Sequence, residues 1–419
     1  MFKKFLILVI VLAVLGAVYT QRHLFLPEDN KNELVFWTIQ LKPVCEKIIQ
    51  RNINEFERTH KDIKITWVDI PIAEAQKRTL ASILGNNPPD LVNLNPDFSM
   101  LLAERGALQT FTPRELEDFH PELVKALKFN GRIFGVPYYA TSSVTLYNKA
   151  AYNKCIVQDE ENPVSFPKTY DELEKLAPKL QHCTPNSGSV FTVNLNENDT
   201  LARILSKYDI SNFNSPYSVH EVTKVFDMFK RMYNSGYLPK DSLTINHREV
   251  IEKYMSPSTM FVVTGANFIN MVKENAQDVY NNSAVAPQLT GLNGKYDVAL
   301  MNFIIPKKSK HKALAKEFVL QLTSPENQLE FAKLTNVLPA NVLALENDYF
   351  NLCDPADLIA QARCESRRQL DNLIDINFGY KNKKAINDTI NRAFEGYILE
   401  NSGAKGIEAL AQEVKLLQD

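Results

Sequence analysis

From residue 33 onward, apolar and polar positions alternate between two periods. Residues 33–38, Glu-Leu-Val-Phe-Trp-Thr, and 63–68, Ile-Lys-Ile-Thr-Trp-Val, carry the period of extended chain. Ile48, Ile49, Ile53 and Phe56 recur at helical spacing over 45–59, and a second helix is predicted over 73–84. Gly85-Asn86-Asn87-Pro88-Pro89 ends that helix, because proline cannot continue the backbone hydrogen-bond ladder; a short buried strand follows over 90–94. Strand, helix, strand, helix, strand is the pattern of an α/β unit with a largely parallel sheet. Ligands of such sheets sit beyond the carboxyl ends of strands, which nominates Gln40, Lys42, Asn95 and Asp97, although each is equally an ordinary loop residue.

Residues 130–149 combine features that suit a cleft. Two glycines predict a turn, Ile133, Phe134, Val136, Val144 and Leu146 predict extended chain, and Tyr138-Tyr139 stand beside Thr141-Ser142-Ser143. Taken alone, the stretch reads as a hairpin with two half-buried tyrosines. The α/β alternation then resumes. Thr169 and Glu172 form a capping-box pair, 191–195 is a predicted strand followed by Asn196, and 219–233 is an amphipathic helix ended by Ser235-Gly236. Residues 259–263 read as a buried strand with a turn over 264–268, and 298–305 as another extended segment closed by Pro306. The last third is helical in pattern, with apolar periodicity over 386–399 and 406–417.

The N-terminus changes the picture. Lys3 and Lys4 precede an unbroken apolar run over 5–18, the secretory arrangement, so 1–20 is expected to be a signal peptide or an N-terminal anchor and 21–32 a linker. Ala17-Val18-Tyr19 is a poor cleavage site, and the run is short for a full span, so both fates stay open. Five cysteines without metal-ligand spacing fit export; proximity favours Cys155 with Cys183 and Cys353 with Cys364, leaving Cys45 free, against the alternative of five small buried apolar residues.

Composition narrows the rest. A chain of 419 residues exceeds what one core normally fills, so two domains are expected. Lys+Arg 47 against Asp+Glu 49 leaves no basic field for nucleic acid. No nucleophile elbow, zinc-protease motif, phosphate loop or dinucleotide fingerprint occurs, so neither catalytic residues nor a metal or cofactor is nominated.

Several stretches, in order, carry a family likeness: 34–38, Asn87-Pro88-Pro89-Asp90-Leu91-Val92, Glu104-Arg105-Gly106-Ala107-Leu108, 130–149, Ser235-Gly236-Tyr237-Leu238-Pro239, 305–312 and Val337-Leu338-Pro339-Ala340. By these the chain resembles the extracellular solute-binding proteins of ABC importers that take in sugars and maltodextrins. Two stretches depart from the family pattern: Ser256-Pro257-Ser258-Thr259-Met260 and Asn267 in place of an aromatic residue. The lipoprotein cysteine is also missing, so lipid anchoring is not expected.

The resemblance implies a two-lobed periplasmic-binding-protein type II fold, each lobe a mixed sheet flanked by helices, with hinge-crossing strands near 140–144 and 300–303 and a third crossing just after Pro339-Ala340. Lobe 1 would comprise 33–140 and 302–342, lobe 2 141–301 and 343–419. Carried over by position, the implied ligand set is Gln40, Lys42, Asn95, Asp97, Tyr138, Tyr139, Thr141, Asn196, Asn267, Phe268, Asn302, Phe378 and Tyr380. The implied partners are a small glycan or sugar derivative and an ABC permease, for a monomer outside the cytoplasm. A glycerophosphate ligand met by Lys42, a membrane-anchored sensor and, more distantly, an exported glycan-active enzyme are the competing readings. Only two tryptophans favour a small ligand over a long maltodextrin.

Overall fold

A computed structural model describes residues 32–157, 165–210, 216–256, 258–375, 382–400 and 402–418. The N-terminal apolar run and the nominated pair Phe378 and Tyr380 lie outside the described residues. Strands β1 (Glu33–Ile39), β2 (Lys64–Ile70) and β3 (Leu91–Leu94) pair in parallel with β1 in the middle, as the opening alternation predicts. Their crossovers are the helices Lys42–Thr59 and Ile72–Leu84. The first buries Cys45, Ile48, Ile49, Ile53 and Phe56, its apolar stripe.

The 130–149 stretch is not one hairpin. Asn130 and Gly131, at φ 48° and 75°, close a two-residue turn between the short strands β4 (Lys128–Phe129) and β5 (Arg132–Ile133). From Val136 the chain runs through Asn148 as a single strand of 13 residues, β6. Four more strands complete the set: β7 (Ser189–Thr192), β8 (Thr259–Gly265), β9 (Ser283–Pro287) and β10 (Val298–Ile304); β11 (Leu338–Pro339) is a short addition.

The strand order is β2-β1-β3-β10-β6-β8-β7, with β9 and β11 also on β6. β6 is therefore shared. Its first half pairs with β10 and β11, its second with β8 and β9, all antiparallel. Tyr138 and Ala140 pack in a first core with Leu34, Phe36, Leu91, Phe303 and Phe318, whereas Val144 and Leu146 pack with Val262, Ile269 and Ala362. A further core around Phe191, Phe226, Phe229, Phe261 and Phe394 completes the second lobe. The molecule is two-lobed, and β6 crosses between the lobes. β10 packs in the first core; Leu345 and Phe350 still pack there, Leu358 and Ala362 pack with the second lobe, and Leu370 and Leu373 pack in the first core again, so the helix Leu358–Gln369 contacts both.

Two local expectations change. Strand β8 does not turn out at 264–268 but runs straight through Gly265 into a helix, Ala266–Asn275. The predicted 191–195 strand sits earlier, at Ser189–Thr192, which releases Asn196 into a turn. Thr169 accepts from the Glu172 amide at 3.1 Å, but the Glu172 carboxylate takes the Lys168 amide and leaves the capping box half formed. Disulfides join Cys155 to Cys183 and Cys353 to Cys364, and Cys45 is free and buried, its thiol pushed up to about 12 by burial and by nearby Asp69.

Candidate functional site

The midpoint of β6 forms the floor. Along the strand Tyr139, Thr141 and Ser143 are partly exposed while Tyr138, Ala140, Ser142 and Val144 are buried, the period-2 alternation of a strand with one open face. On β10 the residues opposite Tyr139 and Thr141 are Met301 and Ala299, and both are open as well. A patch of sheet face is thus left uncovered where the chain passes between lobes. The ring of Tyr139 rests on Phe331 at 5.3 Å, and burial raises its phenol above the ordinary value.

The second lobe supplies one wall. Gly265 pairs with Ser143 across β6 and β8, and a Cβ there would stand 2.6 Å from Thr141 Cγ2 and closer still to Asn267 Oδ1. Glycine at this position therefore lets Thr141 and Asn267 meet. Phe268 follows, edge-on to His247 at 4.9 Å. Further along the wall, Lys383, Asn387 and Asn391 recur every fourth residue on the helix Lys383–Leu399, one helical face. Asn391 Nδ2 donates to the carbonyls of Asn196 at 3.4 Å and Asn198 at 3.0 Å, which ties this face to the turn after β7.

Four amide oxygens on this wall, those of Asn196, Asn267, Asn387 and Asn391, are buried without a donor. A buried acceptor left unpaired costs about 1–3 kcal/mol, which a hydroxyl or amine donor would recover.

Charges in this region are matched. Arg203 bonds Asp199 at 2.8 Å and the Val298 carbonyl at 2.7 Å, and Lys207, 1% exposed, bonds Asp297 at 2.7 Å together with Gln288 and the Leu289 carbonyl. Burial pushes the Asp297 carboxyl up, but Lys207 and Arg203 outweigh it and hold the group below its ordinary value. Burial likewise pushes Asp199 up, and Arg203 and Lys383 bring it below the ordinary range. Lys383 pairs with Asp97 of the first lobe. Each cation here has a carboxylate partner.

On the first-lobe side, Asp97 lies in the first turn of the helix Pro96–Glu104, which Asn95 caps by accepting from the Phe98 amide at 3.0 Å. Lys42 lies over the Trp67 ring at 5.4 Å, near Glu46 at 4.0 Å, and its backbone amide bonds Asp69 at 3.0 Å. Gln40 is exposed at a positive φ of 50°.

Of the nominated residues, the structure brings Thr141 to Asn267 and Phe268, and Asp97 to the wall holding Asn196, with Tyr139 on the floor between. Two others face inward. Tyr138, 3% exposed, is packed between Phe303 and Phe331 in the first core, and Asn302, 0% exposed, bonds Ser99 at 3.0 Å while its carbonyl takes Asn93 Nδ2 at 3.2 Å. Tyr139 is the more exposed of the two tyrosines, although its ring also packs edge-on against Tyr138 at 5.3 Å and on Phe331. Asn387, Asn391 and Lys383 were not nominated; their four-residue spacing between Ile386, Ile390 and Phe394 is legible in the sequence but is that of any amphipathic helix. Two cavities, of about 460 and 260 Å³, are lined by first-lobe residues such as Phe129 and Arg132 or Leu80 and Lys308, and neither holds a nominated residue.

Residues 44–329 match the family described as bacterial extracellular solute-binding protein. The chain is 23% identical over 314 residues to the arabinooligosaccharide-binding protein of Bacillus subtilis (strain 168), covering 70% of this chain and 69% of that one. It is similar in structure to the sugar-binding protein MalE from Xanthomonas citri, with a TM-score of 0.73 at 18% identity over 92% of this chain and 97% of that one. A solute-binding protein of an ABC transporter from Thermotoga lettingae TMO, bound with α-D-tagatose, gives a TM-score of 0.71 at 17% identity over 93% of this chain and 100% of that one.

Proposed function

Because the chain belongs to the bacterial extracellular solute-binding proteins, we propose that it captures a neutral carbohydrate between its lobes and delivers it to an ABC permease. One observation carries the neutral ligand: the described cations of the wall are matched to carboxylates, while the amide oxygens of Asn196, Asn267, Asn387 and Asn391 lack donors. Sugar hydroxyls supply such donors, and the ring of Tyr139 offers a flat face to an apolar sugar surface. A phosphate would need cations in excess. Lys42, the residue that raised the glycerophosphate reading, is near Glu46 and over Trp67.

The curated relative named for arabinooligosaccharides supports the sugar class. Capture needs no covalent step. Ligand that touches both walls is bound more tightly by the closed arrangement and shifts the lobes toward it. The proposed limits are 33–140 with 302–351 for the first lobe and 141–301 with 374–418 for the second, the third crossing running through 352–373, where Leu358 and Ala362 pack with the second lobe and Leu370 and Leu373 with the first core. The family match and Lys3, Lys4 with the apolar run over 5–18 support export, and a monomer is part of the proposal. Among the described residues no helix is long and apolar enough to cross a membrane.

The test is a thermal-shift screen of the full chain against sugars, polyols and glycerophosphates. A neutral saccharide should raise Tm, and Asp97→Ala and Asn267→Ala should each weaken that ligand without lowering the Tm of the free protein by more than a few degrees. A glycerophosphate as the sole hit, or unchanged affinity in both variants, overturns the reading.

A further inference from the structure

Lys383 stands where local structure gives it no reason to be. It opens the helix Lys383–Leu399 beside Lys384, with no acidic residue in that first turn, and Asn382 at the N-cap makes no side-chain cap bond. Two cations at the positive end of a helix are unfavourable, by roughly 0.3–1 kcal/mol each when exposed. Lys384 offsets this through Asp388, one turn on, at 2.7 Å. Lys383 does something else: only 8% exposed, it reaches to Asp97 Oδ1 at 2.5 Å, in the first turn of a helix whose Phe98, Met100 and Leu102 belong to the first core. Its own helix is bound into the second lobe by Ile386, Ile390 and Phe394. The pair therefore spans the lobes, next to Asp199, which Lys383 also helps to hold ionised.

We propose that Lys383 is a positioning residue for ligand capture: it clasps Asp97 across the cleft, sets the separation of the two walls, and leaves the second carboxylate oxygen of Asp97 to accept a hydroxyl from the ligand. The pair forms only when the lobes are together, so its strength is part of the closing free energy. The free protein then samples the closed arrangement, and salt weakens that sampling by screening the half-exposed carboxylate, 37% open. A purely structural lysine would instead act within its own lobe and would not change the distance between lobes.

The clasp deepens the carbohydrate reading but is tested without any ligand, so either can fail alone. Spin labels on exposed residues of each lobe, Ile72 and Leu399, report the interlobe distance distribution of the unliganded full chain at low and high salt. In the parent, the closed fraction should fall as salt rises. Lys383→Met should lower the closed-to-open ratio roughly fivefold at low salt and abolish its salt dependence, while Lys383→Arg should restore both. A Lys383→Met protein that keeps its Tm and shows the parent's distances and salt response overturns the clasp, as does a Lys383→Arg protein that behaves like Lys383→Met.

Discussion

At the scale of single residues, the site depends on what is missing as much as on what is present. Gly265→Ala would place a methyl group against Thr141 Cγ2 and Asn267 Oδ1. Both side chains must move, and ligand affinity should drop at least tenfold while the far-ultraviolet spectrum stays that of the parent; unchanged affinity by calorimetry contradicts the placement of Asn267. Lys207 is a different kind of residue. Asp297→Asn leaves its ammonium buried without a counter-charge, which should cost about 3–5 kcal/mol in denaturant unfolding. Acid reveals the histidines. Burial lowers the pKa of His247, with Glu197 opposing, and lowers that of His120, with Asp371 opposing. The unfolded chain therefore binds more protons below about pH 6.5, so stability is full above that value and falls as pH drops through it. His247→Gln should flatten the decline of Tm between pH 7.5 and 5.5; an unaltered slope would clear His247 of the effect.

Legibility at this scale followed geometry. Period-2 alternation puts Tyr138 and Tyr139 on opposite faces, but the register between β6 and β10 shifts at this point, and the two rings meet edge-on at 5.3 Å with Phe331 against both. Asn302 has a similar history: a polar residue in a crossing strand suggests a cleft, yet it bonds Ser99 of the helix packed beneath the sheet, a partner 203 residues away in the chain. Asn387 and Asn391 were hidden because an amphipathic helix explains their spacing without any ligand.

At the scale of elements, β6 is the organising strand. It is hydrogen-bonded on both sides in each half, so the cost of breaking it is shared by both lobes. The helices and strands of the first lobe were readable because each has its own amphipathic period and a clear stop. Strand β9 was not, since Ser-Ala-Val-Ala-Pro has neither length nor strong alternation and is defined only by pairing with β6. The two disulfides act at this scale. Cys155 and Cys183 close a separation of 28 residues, Cys353 and Cys364 one of 11. On loop entropy, replacing the first pair by serine should cost about 1 kcal/mol more than replacing the second; the reverse order in chemical denaturation would show that the shorter bridge is stabilised by its surroundings. The second bridge does have neighbours, for Arg363 stacks on Tyr349 at 3.7 Å and bonds its carbonyl at 2.7 Å beside the third crossing.

At the scale of the molecule, β6 crosses between two lobes, and Asn196, Asn267, Asn387 and Asn391 on the second-lobe side are among the buried amides whose oxygens lack donors. Two domains followed from length, but the order in which the chain alternates between lobes came from the family likeness, because no local pattern records which core a segment will join. Small-angle scattering of the full chain, titrated with the neutral saccharide that most raises its Tm, tests the central claim most directly. Capture between lobes predicts a saturable fall in the radius of gyration at the same midpoint as binding, lost in Asp97→Ala. A saccharide that binds to saturation and leaves the radius of gyration unchanged would place the ligand outside the cleft and contradict it.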